Sequence, residues 1–591
     1  MYQVPLKDFD FVLHELIGVD ALAGCPDFAD YSAELGNSVL AEAARFAETV
    51  LEPLNKPGDR EGAHWSAAGV TTPAGFKEAY RQFVEGGWPE LGADPEFGGQ
   101  VLPKTLVSSV QEIWASANLA FKLCPMLTHG AAHALSLTGS AEQKRLYLPK
   151  MVRGEWTGTM VLTEPQAGSD LGLIRTRAVP EGEHYRLFGQ KIFITWGDHD
   201  YTENIIHMVL ARIDGAPAGT RGISLFIVPK VLVQPDGRLG ERNDVRCASI
   251  EHKLGIHASP TCVMVFGERQ GAVGYLVGEP NRGLEHMFIM MNTARLAVGL
   301  EGYAVAEAAF QTAADWARNR VQGKPPGAPA AGPATIVHHP DVKRMLLGMK
   351  ASVAAMRCLT LHVAHQLDLA GHHEDPTVRA AAETRADLLI PIAKGWCTEL
   401  GIEVASTGIQ VHGGMGFIEE TGAAQFLRDV RITAIYEGTT GIQANDLIGR
   451  KIGRDGGAAI RALITQMRAE LEQLAPPGEA LPVRTAAVEG VDLLSRATEA
   501  LLRLLSADPA GAAAVAVPYL KLGGFTIAGW LMAKAAAIAA SKTSGADPER
   551  YAAHLQSAHF YAGQLLPNAF ALQRIVEGGA ATVTAADARL I

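Results

Sequence analysis

The sequence has little to build disulfides from. Its six cysteines (Cys25, Cys124, Cys247, Cys262, Cys358 and Cys397) stand far apart, with no CxxC pair among them. That suits reduced thiols in a cytosol better than a disulfide framework. Charge is also sparse, at 19% against 48% hydrophobic residues, a balance that excludes a disordered chain. An excess of positive charge is missing. The formal net charge of −11 disfavours nucleic acid or an anionic membrane as the main partner, although a local site can still take an anion. No basic segment followed by an apolar run opens the sequence, so no secretory leader is expected. The longest apolar stretch, 523–540, contains Lys534 and much Ala and Gly, and is expected to be a buried or interface helix rather than a membrane span. The pairs His338-His339 and His372-His373 lack any CxxC or HExxH context, and no metal site is expected. No GxGxxG opens a βαβ unit, which disfavours nicotinamide binding of the Rossmann kind.

What is present falls into four textures along 591 residues, within the three to five domains that such a length suggests. Residues 1–157 read as helical, with apolar i, i+3, i+4 spacing at 38–51 and 105–121. Short runs rich in β-branched and aromatic residues follow in 158–283, at 159–163, 185–188, 191–195, 205–211, 223–228 and 261–266. No helix-length segment alternates with them, so the pattern predicts a compact antiparallel β-domain and not a doubly wound sheet. Helical texture returns over 284–455, broken by a Pro- and Gly-rich loop at 323–333. The Ala- and Leu-rich stretch 456–591 is helical again, with turns at 476–482 and 507–511, and its basic and acidic side chains balance.

Three segments carry candidate chemistry. The run 159–170, TMVLTEPQAGSD, takes a strand into a polar turn whose free N–H and hydroxyl groups can hold phosphate or the polar edge of a flat ring; an ordinary strand-to-turn junction reads the same way. The run 434–443, AIYEGTTGIQ, sets Glu437 between an apolar strip and a Gly- and Thr-rich turn. An apolar surrounding raises a carboxylate's pKa towards the range of a general base; a helix-capping Glu is the other reading. The run 408–417, GIQVHGGMGF, has three glycines in four residues that permit close backbone approach to a ligand.

Together these motifs resemble those of the acyl-CoA dehydrogenase family over about 38–453. The likeness covers TEPxAGSD at 163–170, KxxIT at 191–195, MMNxAR at 290–295, QVHGGMGF at 410–417 and YEGTTGIQ at 436–443. The opening segment and the C-terminal helical extension look like a larger bacterial subgroup, which includes broad-range fatty acyl-CoA and 3-methylmercaptopropionyl-CoA dehydrogenases. The resemblance implies an N-terminal helical domain, a central antiparallel β-domain, a four-helix bundle carrying the base, and an extra C-terminal helical domain. It also implies FAD as cofactor, an acyl-CoA substrate, an electron-transfer flavoprotein as acceptor, a homodimer, and a bacterial cytoplasmic location, at most peripheral to a membrane. An acyl-CoA oxidase passing electrons to O₂ is the rival with the same fold. A nucleic-acid-associated relative would need a basic C-terminal domain.

The implied reaction is α-proton abstraction by Glu437 coupled to transfer of the β-hydrogen as hydride to flavin N5. Hydrogen bonds to the thioester oxygen, in this family from the base's own N–H and a flavin ribityl hydroxyl, stabilise the developing enolate. Some members carry the base directly before the arginine of MMNxAR; here that residue is Ala294, which cannot accept a proton. By the family pattern Met160, Leu162, Thr163 and Ser169 face the flavin, with Ser169 towards the pyrophosphate and the substrate. Thr195 approaches N5, and Phe193, where many members have Trp, lies against the ring. Arg320 matches a pyrophosphate contact. Gln410, Gly413 and Gly414 match residues reaching a neighbour's FAD across a dimer interface. Thr439 and Gly441 match cofactor contacts, the latter through backbone alone. Asn292, Arg295 and Gly438 match the substrate path, with a surface salt bridge as the other reading of Arg295. The methionines Met287, Met290 and Met291 read as packing.

Overall fold

The computed structural model describes residues 2–327, 332–475 and 478–591. Parts of the loop at 323–333 and of the turn at 476–482 therefore lie outside the described residues. The chain forms two compact units: Met1–Arg45 with Pro103–Ser116 and Val298–Ile591, and Phe46–Leu102 with Ala117–Ala297. Two long helices, α1 (Lys104–Thr138) and α2 (Gly283–Asn319), contribute to both.

The second unit is built on a sheet of eight strands: β1 (Thr157–Val161), β2 (Arg177–Glu181), β3 (His184–Thr195), β4 (Ile205–Ile213), β5 (Ile223–Pro229), β6 (Val245–Ile250), β7 (Thr261–Phe266) and β8 (Ala272–Val277). The order is β6-β7-β3-β8-β5-β4-β1, with β2 pairing β3 and β4. Most pairings are antiparallel, as expected from strand runs with no helix-length segment between them. Two are parallel, β1 with β4 and β2 with β4, because β3 intervenes in the chain and brings β4 back in the same sense. The runs 185–188 and 191–195 are one strand, whose burial alternates in part. A short hairpin, His64–Ser66 with Gly69–Thr71, interrupts the helical texture expected for 1–157. Helix Ala141–Val152 starts on a capping box in which Ser140 Oγ accepts from Gln143 N and Gln143 Oε1 accepts from Ser140 N, satisfying two orphan donors at once. The Gln143 amide then donates to Leu276 O of β8 at 2.8 Å, tying that helix to the sheet.

The first unit is helical. Its long members include α3 (Pro340–His372), α4 (Pro376–His412) and α6 (Ala516–Lys542), with the short α5 (Thr440–Asp446) between the last two in sequence. A buried Arg357 on α3 pairs with Glu112 of α1 at 2.5 Å and with Glu307 of α2 at 3.0 Å, so three helices share one charge network. The apolar stretch read from the sequence is α6. Both α3 and α6 are long and apolar enough to cross a membrane, and each buries most of its apolar window within the chain. Helix α6 packs on α3, α4 and α5. Small residues permit this: a Cβ on Gly524 would stand 2.2 Å from the Trp396 ring, and one on Gly395 would stand 2.8 Å from Leu520. All six cysteines are buried and unpaired.

Candidate functional site

The candidate residues divide between the two units. In the second, β1 delivers Met160, Leu162 and Thr163 into the turn 164–170. Glu164 points inward, with its side chain 3% exposed, and pairs with the fully buried Lys191 of β3 at 3.0 Å. The same carboxylate accepts from Arg175 N at 2.7 Å, Thr176 N at 2.9 Å and Thr176 Oγ1 at 2.5 Å. Lys191 Nζ also donates to Leu162 O at 2.8 Å, and Ile192 N donates to Thr163 O at 2.9 Å. The TEP turn and the KIFIT strand are therefore cross-braced through one ion pair. Burial alone would raise the Glu164 carboxyl, but the Lys191 charge and the bonds from Thr176 and Arg175 bring it down to about 2.

The brace orients what lies beside it. Phe193 adopts φ 58° and Trp196 φ 54°, left-handed backbone that costs roughly 1–2 kcal/mol per residue. The Trp196 ring is buried, whereas Phe193 is 58% exposed. Thr195, half-buried, pairs in register with Thr261. Ser169 lies on the exposed outer part of the turn, beside Gly168, whose added Cβ would touch nothing. Asn292 is exposed. Arg295 is 5% exposed, a buried rather than a surface guanidinium. Met287 and Met290 pack in the core with Leu127 and Ala131.

Lys191→Met is expected to leave Glu164 as an uncompensated buried charge and to destabilise this unit by about 3–5 kcal/mol. The double variant Lys191→Met, Glu164→Gln should lose less, as chemical denaturation will show. Glu164 is held below its ordinary value, so its contribution is present above about 4.5 and lost as pH falls towards about 2.

The first unit carries the 436–443 segment. Glu437 has φ 54° and Gly438 φ 88°, two left-handed residues in succession. At 438 glycine is needed twice over, since an added Cβ would also stand 2.9 Å from Gln443 Nε2. Gln443 Nε2 donates to Glu437 O at 2.9 Å and to Gly438 O at 3.2 Å. The fully buried Lys394 of α4 donates to Gly438 O at 2.7 Å. Tyr436 donates its hydroxyl to the buried Glu301 of α2; burial first, then the Glu301 carboxylate, push the phenol well above its usual value, so it remains a donor. Glu437 is not a helix cap. That role belongs to Thr439, whose hydroxyl accepts from Ile442 N at the start of α5. Thr440 Oγ1 donates to Glu399 at 2.7 Å, and Glu399 faces Lys521 of α6 at 3.5 Å. Gly441 is half-buried on the first turn of α5.

Elsewhere in this unit Arg320 is exposed, and among the described residues its guanidinium has no ion-pair partner. Gln410 is exposed in the last turn of α4, and beyond the buried Val411 and His412 come exposed Gly413 and Gly414, where an added Cβ would meet nothing. Met415, Phe417 (85% exposed) and Ile418 are exposed as well. His339 bonds Gln322 O and His372 bonds Asp27; among the described residues no group of three His, Cys, Asp or Glu side chains is gathered for a metal.

Taken unit by unit, each of these residues offers chemistry that a flavin dinucleotide can use. An aromatic ring that the backbone holds in solvent suits a flat apolar ligand, an unpaired exposed guanidinium suits a pyrophosphate, and open glycine backbone suits close approach. The spacing of sequence motifs gave no hint of Glu164, Lys191, Glu301, Lys394 or Gln443 as supports. A readable signal existed for three of them. Lys191 shares the inward face of β3 with Leu187, and Lys394 and Glu301 are the lone charges in the runs 388–398 and 296–306.

Comparison with known proteins agrees with this reading. Residues 36–155, 159–268 and 281–452 match the N-terminal, middle and C-terminal domains of acyl-CoA dehydrogenase, and 460–587 match the acetyl-CoA dehydrogenase C-terminal-like domain. The chain is 45% identical to 3-methylmercaptopropionyl-CoA dehydrogenase of Ruegeria pomeroyi over 99% of both proteins. It is 34% identical to the broad-specificity linear acyl-CoA dehydrogenase of Mycobacterium tuberculosis over 98% of this chain and 97% of that one. The fold is shared with an acyl-CoA dehydrogenase complexed with FAD from Bacillus anthracis, at TM-score 0.72 and 20% identity, covering 96% of this chain and 91% of that one. With motifs, fold and full-length relatives in agreement, the chain belongs to the acyl-CoA dehydrogenase family and is an FAD flavoprotein oxidoreductase.

Proposed function

We propose that the protein desaturates an acyl-CoA thioester between Cα and Cβ to the trans-2-enoyl-CoA, with Glu437 as base. The observation that carries this is the backbone of Glu437, held left-handed and gripped at its own carbonyl and the next one. A carboxylate fixed in that way can meet an α-proton without reorganising. When bound, FAD supplies the acceptor for the β-hydrogen as hydride. Met160, Leu162, Thr163, Ser169, Phe193 and Thr195 would hold its ring and pyrophosphate; Arg320, Thr439 and Gly441 would add further contacts. Gln410, Gly413 and Gly414 would serve the neighbouring subunit's FAD. Asn292, Arg295, Gly438 and Ser169 would line the substrate path.

Electrons would pass to an electron-transfer flavoprotein in a bacterial cytoplasm. The chain would be organised as 1–157, 158–283, 284–455 and 456–591. Among substrates, the full-length relative from Ruegeria pomeroyi supports 3-methylthiopropionyl-CoA first, and the relative from Mycobacterium tuberculosis supports a linear fatty acyl-CoA second. Anaerobic flavin bleaching across a panel of acyl-CoA thioesters decides between them. Fastest bleaching by a long-chain thioester overturns the first choice, and no bleaching by any thioester overturns the activity. Rapid reoxidation of the reduced protein by O₂ would make it an oxidase instead.

The purified protein is expected to be yellow and at least dimeric, since the exposed 410–418 face needs a partner and an exposed apolar patch is costly. Light scattering that finds a monomer with stoichiometric FAD would contradict this.

A further inference from the structure

A buried ammonium in the middle of a long helix needs a reason. Residues 388–398 of α4 contain no other charge, and Leu389, Ile392, Ala393, Trp396 and Cys397 around Lys394 are buried apolar side chains. An apolar residue would pack there without the desolvation cost of a cation, which amounts to several kcal/mol. Among the bonds of Lys394 is one of 2.7 Å to Gly438 O, on the residue directly after Glu437. Gln443 grips the same carbonyl and the Glu437 carbonyl from within α5. Both peptide planes that follow the Glu437 Cα are thus fixed by buried donors. The left-handed conformation they enforce is one a glutamate seldom adopts unaided.

We propose that Lys394, together with Gln443, is a positioning residue for the base. It holds the 437–438 backbone so that the Glu437 carboxylate stays aligned with the substrate α-proton. This rests on the reading of Glu437 as base. With the ammonium gone, the Gly438 carbonyl keeps only the 3.2 Å bond from Gln443, and the loosened loop lets Glu437 drift towards a right-handed backbone, which displaces its carboxylate. A misplacement of about 1 Å costs roughly 10²-fold in rate.

The test compares wild type, Lys394→Met, Gln443→Leu and Glu437→Gln as purified holoenzymes. Single-turnover anaerobic bleaching, flavin content and hydrogen exchange of the 436–443 amides are followed in each. Lys394→Met is expected to keep its flavin, to bleach about 10²-fold more slowly per bound flavin, and to exchange the 436–443 amides at least tenfold faster. A purely structural lysine would lower thermal stability yet leave the rate per flavin and the local exchange unchanged, and that result overturns the proposal. Should Lys394→Met not accumulate, Gln443→Leu is read by the same criteria. Wild-type bleaching by Glu437→Gln would sink the base reading alone, while the exchange data still judge the clamp.

Discussion

Glu437→Gln should retain FAD and bind acyl-CoA, yet lose reductive turnover by roughly 10³–10⁴-fold, the upper range for removal of a general base. Glutamine keeps the volume and the backbone bonds to Lys394 and Gln443, so the left-handed loop should survive. Only the ability to take a proton is lost. The family's alternative position is Ala294, which cannot accept a proton, and Glu301 already accepts from Tyr436. Rapid-mixing measurement of flavin bleaching gives the rate, and a spectral titration with acyl-CoA gives the affinity. Normal bleaching in the variant would show that the base lies elsewhere.

Truncation after Arg454 is expected to give insoluble protein or a new higher oligomer. Helix α6 alone buries Tyr519, Leu520, Phe525, Ile527, Trp530 and Leu531, and its loss uncovers the faces of α3, α4 and α5 on which it packs. Each large apolar side chain returned to water costs about 1.5–3 kcal/mol. The truncation also removes Lys521, which faces the Glu399 that binds Thr440 of α5, the helix just after Glu437. Activity should therefore fall along with solubility. Size-exclusion chromatography with light scattering and a flavin assay report both. A truncated chain that stays a soluble, fully active dimer would show that the extension supports nothing essential.

The segments proposed to meet ligands stood out in the sequence as motifs, because ligand chemistry restricts local spelling. YEGTTGIQ pointed to Glu437, and the glycine after it proved to be demanded by backbone conformation. The regular helices and most strands could be read from periodicity. The partners of the supporting residues could not. The pairing of Glu164 with Lys191 spans 27 positions and that of Lys394 with Gly438 spans 44, and periodicity says nothing of partners so far apart. Parallel pairing of β1 with β4 was hidden for a related reason: strand patterns report a buried face, not the sense of the neighbour. The alternative reading of Glu437 as a cap failed because the capping hydroxyl lay two residues further on, at Thr439.

The glycine contacts between α4 and α6 limit how this protein can be recombined. Gly395 admits Leu520 and Gly524 admits the Trp396 ring; an added Cβ would stand 2.8 Å from the Leu520 methyl and 2.2 Å from the indole, so the second place cannot take one without moving the ring. An extension borrowed from a relative would therefore meet a lock cut for a different key unless residues 388–399 travelled with it. Segments that look separable in sequence, the bundle and its C-terminal addition, are obliged to be inherited as a pair.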